Sequence, residues 1–244
     1  IAQLTLPKRN KHVTLLKVRQ MSMQDLTDAV DIVDEEDIGM TTVDLTASEV
    51  GAKIILTDKL VRQSAENVFS MIGRQLGDGM ARKKDVDVLS LYSGFSTDFG
   101  AAGRQMTLAN VASAIAYAKG KKFGSNVYIV HHPFTVFDIA NTAVTASTTY
   151  PVPVGWSADL LGNFFSGLRP INGVPIFEDG NISIDSSDDA VGVIADKSAL
   201  AVLKSVDMNK EQDRDISLRA TEVVITADYG VFELDDSKGV ALTL

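Results

Sequence analysis

Cysteine is absent from this chain of 244 residues, which excludes disulfide frameworks, thiolate metal sites and cysteine nucleophiles. No apolar run approaches the ~20 residues that a membrane-spanning helix requires. Positive charge is scarce. The 23 Lys and Arg residues face 32 Asp and Glu, for a net charge of -9. Proteins that grip phosphates draw their affinity from Lys and Arg that displace counterions. Naked nucleic acid would be repelled over most of this surface, which suits an acidic wall around packed DNA and excludes a sequence reader. An initiator Met is also missing, and Ile1-Ala2-Gln3-Leu4 is no signal peptide. The expectation is that translation starts upstream of Ile1.

Hydrophobic residues make up 45% of the chain and charged residues 23%, ordinary globular usage for one large domain or two smaller ones. Lys11 to Gln20 and Met40 to Leu56 are rich in β-branched and aliphatic residues and read as strands. Between them, Met21 to Gly39 carries Asp25, Asp28, Asp31, Asp34, Glu35, Glu36 and Asp37 with no basic residue. Like charges at this spacing oppose an isolated helix, so the region reads as a β-ribbon with an acidic, irregular or weakly helical tip.

A long helix follows. Asp58 suits the N-cap, and Val61, Ala65, Val68, Ile72, Leu76 and Met80 fall on one face at helical spacing. Arg82, Lys83 and Lys84 would complement its C-terminus. Continuous from Asp58 to Lys83, it would be roughly 39 Å long. Gly73, Gly77 and Gly79 weaken its second half, where a bend or break is expected. Ser93 to Gln105 is a small-residue linker and the best domain boundary. Thr107 caps a second helix that Gly120 ends. Asn126 to Val130 reads as a strand, His131-His132-Pro133 as a turn and Phe134 to Thr142 as a helix. Further helices are expected at Asp159–Leu168 and Lys197–Val206. Strands are expected at Val174–Phe177, Val191–Ile194, Ile216–Ala227, Gly230–Leu234 and Val240–Leu244. This irregular order predicts an α+β protein whose termini share one sheet.

Chemistry is hard to find. His12, His131 and His132 are the only histidines, and the adjacent pair has no metal-ligand spacing. A general base at His132 beside Asp138 is conceivable chemistry, but a strand-end His that satisfies local backbone groups is the better reading. Gly94 to Gly103 lacks a phosphate-binding pattern, Ser64 and Ser166 lack the setting of a hydrolase nucleophile, and the Asp-rich run lacks calcium-loop spacing. No catalytic residue, cofactor site or metal site emerges.

Order is more informative than any single motif. VGAKIILTDKLVRQSAENVFSMIGRQLGDGMARKKDVDVL (Val50–Leu89), NVYIVHHPFTVFDIA (Asn126–Ala140), GLRPINGVPIFEDGNIS (Gly167–Ser183) and ATEVVITADYGVFELDDSKGVALTL (Ala220–Leu244) follow one another. From about Lys11 to the end, this succession resembles the major capsid protein of tailed bacteriophages, the Hong Kong 97 type. The resemblance implies an extended loop (11–57) after an N-terminal segment (1–10), then a spine helix and peripheral domain (58–92). It further implies an axial domain (93–215) and C-terminal strands that return to the peripheral sheet (216–244).

It also implies an icosahedral shell of pentamers and hexamers of this chain around double-stranded DNA held without sequence specificity. Scaffolding, portal and decoration proteins are the other implied partners, and no membrane is. Asp25, Asp28, Asp31, Asp34, Glu35, Glu36 and Asp37 become candidates for contact with a neighbouring subunit. Some such proteins weld this loop to a neighbour through a lysine–asparagine bond; residues 20 to 40 contain no lysine, so a weld from this tip is not available. Arg74, Arg82, Lys83 and Lys84 become candidates for facing DNA, against the alternative that they serve the helix dipole and pair with Asp85 or Asp87. Two other readings stay open: a nanocompartment shell of the encapsulin kind, and a small α/β enzyme using His131 or His132.

Overall fold

A computed structural model of the chain describes residues 2–5, 11–17, 40–64, 67–144 and 173–243. Among them, β1 (Ala2–Thr5) precedes a two-stranded ribbon, β2 (His12–Lys17) and β3 (Thr41–Thr46), paired antiparallel from His12↔Thr46 to Lys17↔Thr41. Ala47 ends the ribbon, and β4 (Ser48–Thr57) continues in a different sheet. The expected tip at 25–37 and the expected helix at Asp159–Leu168 lie outside the described residues.

The long helix is two helices. α1 (Asp58–Gln63) ends before Ser64, and α2 (Val68–Leu89) begins after Asn67. Thr57 caps α1 by accepting the Leu60 N–H, so Asp58 is the first helical residue and not the cap. Asn67 caps α2, accepting from the Ser70 N–H. The break therefore falls ahead of the glycines, and α2 runs unbroken through Gly73, Gly77 and Gly79 to Leu89. That moves Arg82, Lys83 and Lys84 from the last turn to mid-helix, away from the C-terminal carbonyls they were expected to complement.

Val68, Ile72, Leu76 and Met80 are the face of α2 that is buried, as their spacing predicts. They pack on Leu56 of β4 and on Val223, Ile225 and Ala227 of a later strand. The platform beneath is a four-stranded sheet of order β1-β9-β10-β4, where β9 is Leu200–Asp215 and β10 is Ala220–Glu233. β10 pairs with β4 over ten positions and with β9 along its length, with a bulge near Asp228.

The second unit is built on a five-stranded sheet. A 3-10 turn at Tyr92–Gly94 leads to β5 (Asp98–Gly100), then α3 (Leu108–Gly120), β6 (Val127–His131) and α4 (Pro133–Val144). β7 (Ile176–Glu178), β8 (Val191–Asp196) and β11 (Gly239–Thr243) complete the order β5-β11-β8-β6-β7. Strand alternation splits its core in two. Ile194, Val240 and Leu242 face α3 through Val111 and Ile115, whereas Val193, Ala195 and Ala241 face Tyr92 and Phe95.

Two expectations are corrected here. Lys197–Val206 is not a helix: the Asp196 carboxylate accepts from the Ser198 amide, the Ala199 N–H bonds the Asp196 carbonyl, and the chain turns into β9. Its Ala, Leu and Lys residues favour a helix, but pairing with β1 and β10 on two sides overrides that propensity. The C-terminal grouping differs too. β9 belongs with the long sheet, outside the 93–215 unit, while the last strand, β11, joins the five-stranded sheet and does not share one with β1.

Nothing lies within 4 Å of a Cβ placed on Gly73, Gly77 or Gly79. Replacing each with Ala should raise unfolding free energy by roughly 0.5–1 kcal/mol, because the helix loses a flexible residue and gains no clash. Denaturant titration of the free subunit checks this; a loss of stability would mean that α2 is bent or covered at those positions.

Candidate assembly surfaces

The ribbon is rooted on its own subunit. Leu45, Ala47 and Leu203 are buried there, with Val13, Leu15, Leu4 and Phe232 packed against them. Gly230 permits the approach, since a Cβ at this position would stand 2.8 Å from the Thr46 carbonyl oxygen. Two ion pairs run alongside: Lys11 with Asp228 at 3.3 Å and Lys17 with Asp235 at 2.7 Å. β2 therefore travels with β10 towards the turn at Asp236–Lys238. Burial opposes ionisation of Asp235, but Lys17 and Ser237 hold its carboxyl below the usual range. Asp236 accepts from the Ser96 amide at 2.8 Å, tying the same corner to the segment before β5. Neither Lys17 nor this carboxylate group was singled out from sequence, because its members are up to 219 residues apart and only the ribbon's return brings them together.

Three of the four basic residues on α2 are engaged within the subunit. Arg82 donates to Asn181 at 3.0 Å. Lys83 pairs with Asp87, whose other oxygen accepts from the Tyr229 hydroxyl at 2.6 Å. Lys84 lies 3.5 Å from Asp207 and 5.5 Å from the centre of the Tyr229 ring. These contacts fasten the second half of α2 to β9 and β10, and burial together with Asp87 pushes the Tyr229 hydroxyl up. Arg74 differs: it stands on the exposed face beside Asn67, Ser70, Met71 and Gln75.

Large apolar side chains are exposed at two places among the described residues. Ile216 is 82% exposed and Leu218 56% at the β9–β10 turn, and Phe134 and Phe137 are each 62% exposed on the first turns of α4. Beside Ile216, Arg214 holds Asp58 in a two-pronged pair at 2.9 and 3.2 Å, and this keeps the Asp58 carboxyl below the usual range.

The histidines serve the fold. His131 is fully buried; its Nδ1 accepts the His132 N–H at 2.8 Å and its Nε2 lies 3.1 Å from the Leu242 carbonyl oxygen. That arrangement requires the neutral ring with its proton on Nε2. Gly192 leaves the space, because any Cβ there would collide with the imidazole. His132 accepts the Phe134 N–H at 3.3 Å at the start of α4 and meets the Phe134 ring edge-on. Among the described residues, no group of three or more His, Asp or Glu could hold a metal, and no helix is long and apolar enough to cross a membrane.

No protein-family model matches this chain, and no curated protein matches it by sequence. Solved structures do. The acidic-stable capsid of Helicobacter pylori bacteriophage KHP30 is similar at 11% identity, with a TM-score of 0.77 over 99% of this chain and 87% of that one. The capsid of a native GTA particle is similar at 12% identity, TM-score 0.74, over 100% of this chain and 87% of that one. A chain of Mycobacterium phage Che8 is similar at 19% identity, TM-score 0.72, over 96% of this chain and 85% of that one. At such identities the likeness is one of fold, and it spans nearly the whole chain: this is the phage-capsid fold of the Hong Kong 97 type, α+β, as the order of elements predicted.

Burial lowers the His131 ring pKa to about 4, against the Leu242 hydrogen bond, which raises it, and with a further lowering from His132. The unfolded chain takes up this proton near pH 6.5 and the folded chain does not. Stability is therefore lost as pH falls from about 6.5 to 4, by on the order of 3 kcal/mol. Urea unfolding at several pH values, with His131→Gln as control, checks this. The variant should flatten that part of the profile, and an unchanged slope would assign the acid sensitivity to other groups.

Proposed function

We propose that this chain is a major capsid protein of a tailed bacteriophage, assembling with copies of itself into pentamers and hexamers of a closed icosahedral shell. The observation that carries this reading is the near-complete match of its fold to capsid structures, ribbon and long sheet included. Physical sense supports it. A two-stranded ribbon is marginal in water by itself, and among its described residues the buried ones, Leu45 and Ala47 beside it, lie at the root. Its remaining surface needs a neighbour, and contacts of this head-to-tail kind close into rings.

In this reading the chain is a structural component of the virion and not an enzyme, with no cofactor. Double-stranded DNA would be enclosed without sequence readout, and scaffolding, portal and decoration proteins would be transient or minor partners. Arg74 is the α2 residue whose geometry suits a mobile counter-charge for DNA, since Arg82, Lys83 and Lys84 already have partners in the subunit. Nothing specific favours a cargo-enclosing compartment over a phage shell: the similar structures named above come from phages and a GTA particle. An electron micrograph of the purified protein tests the proposal directly. Hollow particles or rings are expected; a folded protein that stays monomeric at every concentration, salt and crowding condition would overturn it.

The segment from Asp25 to Asp37 is proposed to recognise a neighbouring subunit, Leu26, Val30, Ile32 and Val33 giving apolar contact and the carboxylates direction. Such contacts gain specificity and association rate and weaken as salt rises. Replacing Asp31, Asp34, Glu35, Glu36 and Asp37 by Asn or Gln should slow assembly and remove much of its salt dependence, read by light scattering. Particles that form at the parental rate and withstand salt and heat equally well would mean that the segment is only a solvated acidic loop.

A further inference from the structure

One end of the five-stranded sheet gathers five lysines from three stretches of chain. α3 runs out in Lys119-Gly120-Lys121-Lys122, where the Lys121 N–H bonds the Tyr117 carbonyl at 2.8 Å and Lys122 takes a left-handed φ of 55°. The chain then abuts the β8–β9 turn: a Cβ on Gly124 would stand 2.6 Å from an Asp196 carboxylate oxygen. That turn exposes Lys197, and Lys238 donates to its Ser198 hydroxyl at 3.2 Å. Register explains the gathering, since the start of β6 pairs with the end of β8 (Val127↔Asp196) and the start of β11 pairs beside it (Gly239↔Ala195).

Carboxylates nearby are already committed. Asp196 accepts from the Ser198 amide and hydroxyl, at 3.1 and 2.5 Å. Asp235 holds Lys17, and Asp236 holds Ser96. Among the described residues, no carboxylate lies at ion-pair distance from Lys121, Lys122 or Lys197, although Lys121 sits 5.7 Å from the centre of the Tyr117 ring. By contrast, Arg82, Lys83 and Lys84, an equally basic run, have partners inside the subunit.

We infer that this lysine corner receives the acidic segment 21–39 of a second copy of the chain, an assignment that rests on the capsid reading above. Charge complementarity argues for that occupant. The segment's seven carboxylates account for seven of the chain's nine net negative charges, so the remaining residues are close to neutral and offer no comparable anion. A second copy, and not the same one, is the occupant that the capsid reading supplies. The described end of the ribbon, at Lys17 and Asp235, already lies beside its own corner. Seven mutually repelling carboxylates oppose an immediate fold back onto it and favour reaching outward. Each exposed pair is weak, so the contact would set register and encounter rate and be sensitive to salt.

Particles assembled from an equal mixture of nitrogen-15-labelled and unlabelled subunits, treated with a water-soluble carbodiimide, test the assignment. The reagent activates a carboxylate, the Lys amine displaces it as the urea, and an amide records the contact. Mass spectrometry should find peptides containing Asp25–Asp37 joined to Lys121, Lys122 or Lys197, with mixed-isotope pairs as abundant as same-isotope pairs. In K121Q/K122Q/K197Q these links should vanish and assembly should become slower and less dependent on salt. Same-isotope links alone would place the segment on its own subunit. Links to other lysines, such as Lys53 or Lys59, in well-formed particles would overturn the corner while leaving the capsid reading intact. Lysines shielded from acetylation only in DNA-filled particles would make the corner a DNA contact. Absence of particles would remove both readings.

Discussion

A two-stranded ribbon exposes two faces and two edges, and no arrangement of its own residues can bury them all. Much of this molecule is organised around that constraint. The root of the ribbon is buried by Leu45, Ala47 and Leu203 on the long sheet, at the cost of a glycine at position 230 where the backbones come close. The sheet in turn packs against α2 through the Val68, Ile72, Leu76 and Met80 stripe. Further along α2, the Lys83–Asp87–Tyr229 chain of contacts fixes the helix to β10 at the point where β2 passes. The described part of the ribbon is thus anchored to the same sheet that α2 covers.

The junction between the two units follows the same logic. Ala199 and Leu200, at the entry to β9, are buried with Tyr92, Phe95 and the inner strands of the five-stranded sheet. Val88 and Leu89, the end of α2, pack on the same cluster. One chain segment therefore serves both sheets, and the two units meet through packed side chains. The small-residue stretch at Ser93–Gln105 reads as a linker and domain boundary, yet Phe95 is buried and Asp98 accepts from the Thr243 amide at 3.1 Å.

Local signals were legible where local physics decides. Thr107 caps α3 as its side chain predicts, Gly120 is the last helical residue with Lys122 taking the left-handed turn beyond it, and the α2 stripe was plain from its spacing. Pairing partners distant in sequence were not legible. Lys197–Val206 has helix-forming residues and becomes a strand because β1 and β10 flank it. The break between α1 and α2 follows a cap at Asn67, which competes quietly with three conspicuous glycines. For the surfaces, the acidic run could be read directly, since it is contiguous. The lysine corner could not, because Lys121, Lys197 and Lys238 become neighbours only through the register of β6, β8 and β11. The order of elements carried the fold where no single motif did.

Amide hydrogen exchange, compared between the free subunit and assembled particles, tests most directly whether the ribbon is completed by a neighbour. Amides of β10 paired with β4 and β9 should be protected in both states, because their partners lie in the same chain. Amides from residue 18 to residue 40 should exchange rapidly in the free subunit and slowly in particles. Equal exchange of that segment in the two states, with β10 protected in both, would contradict the account.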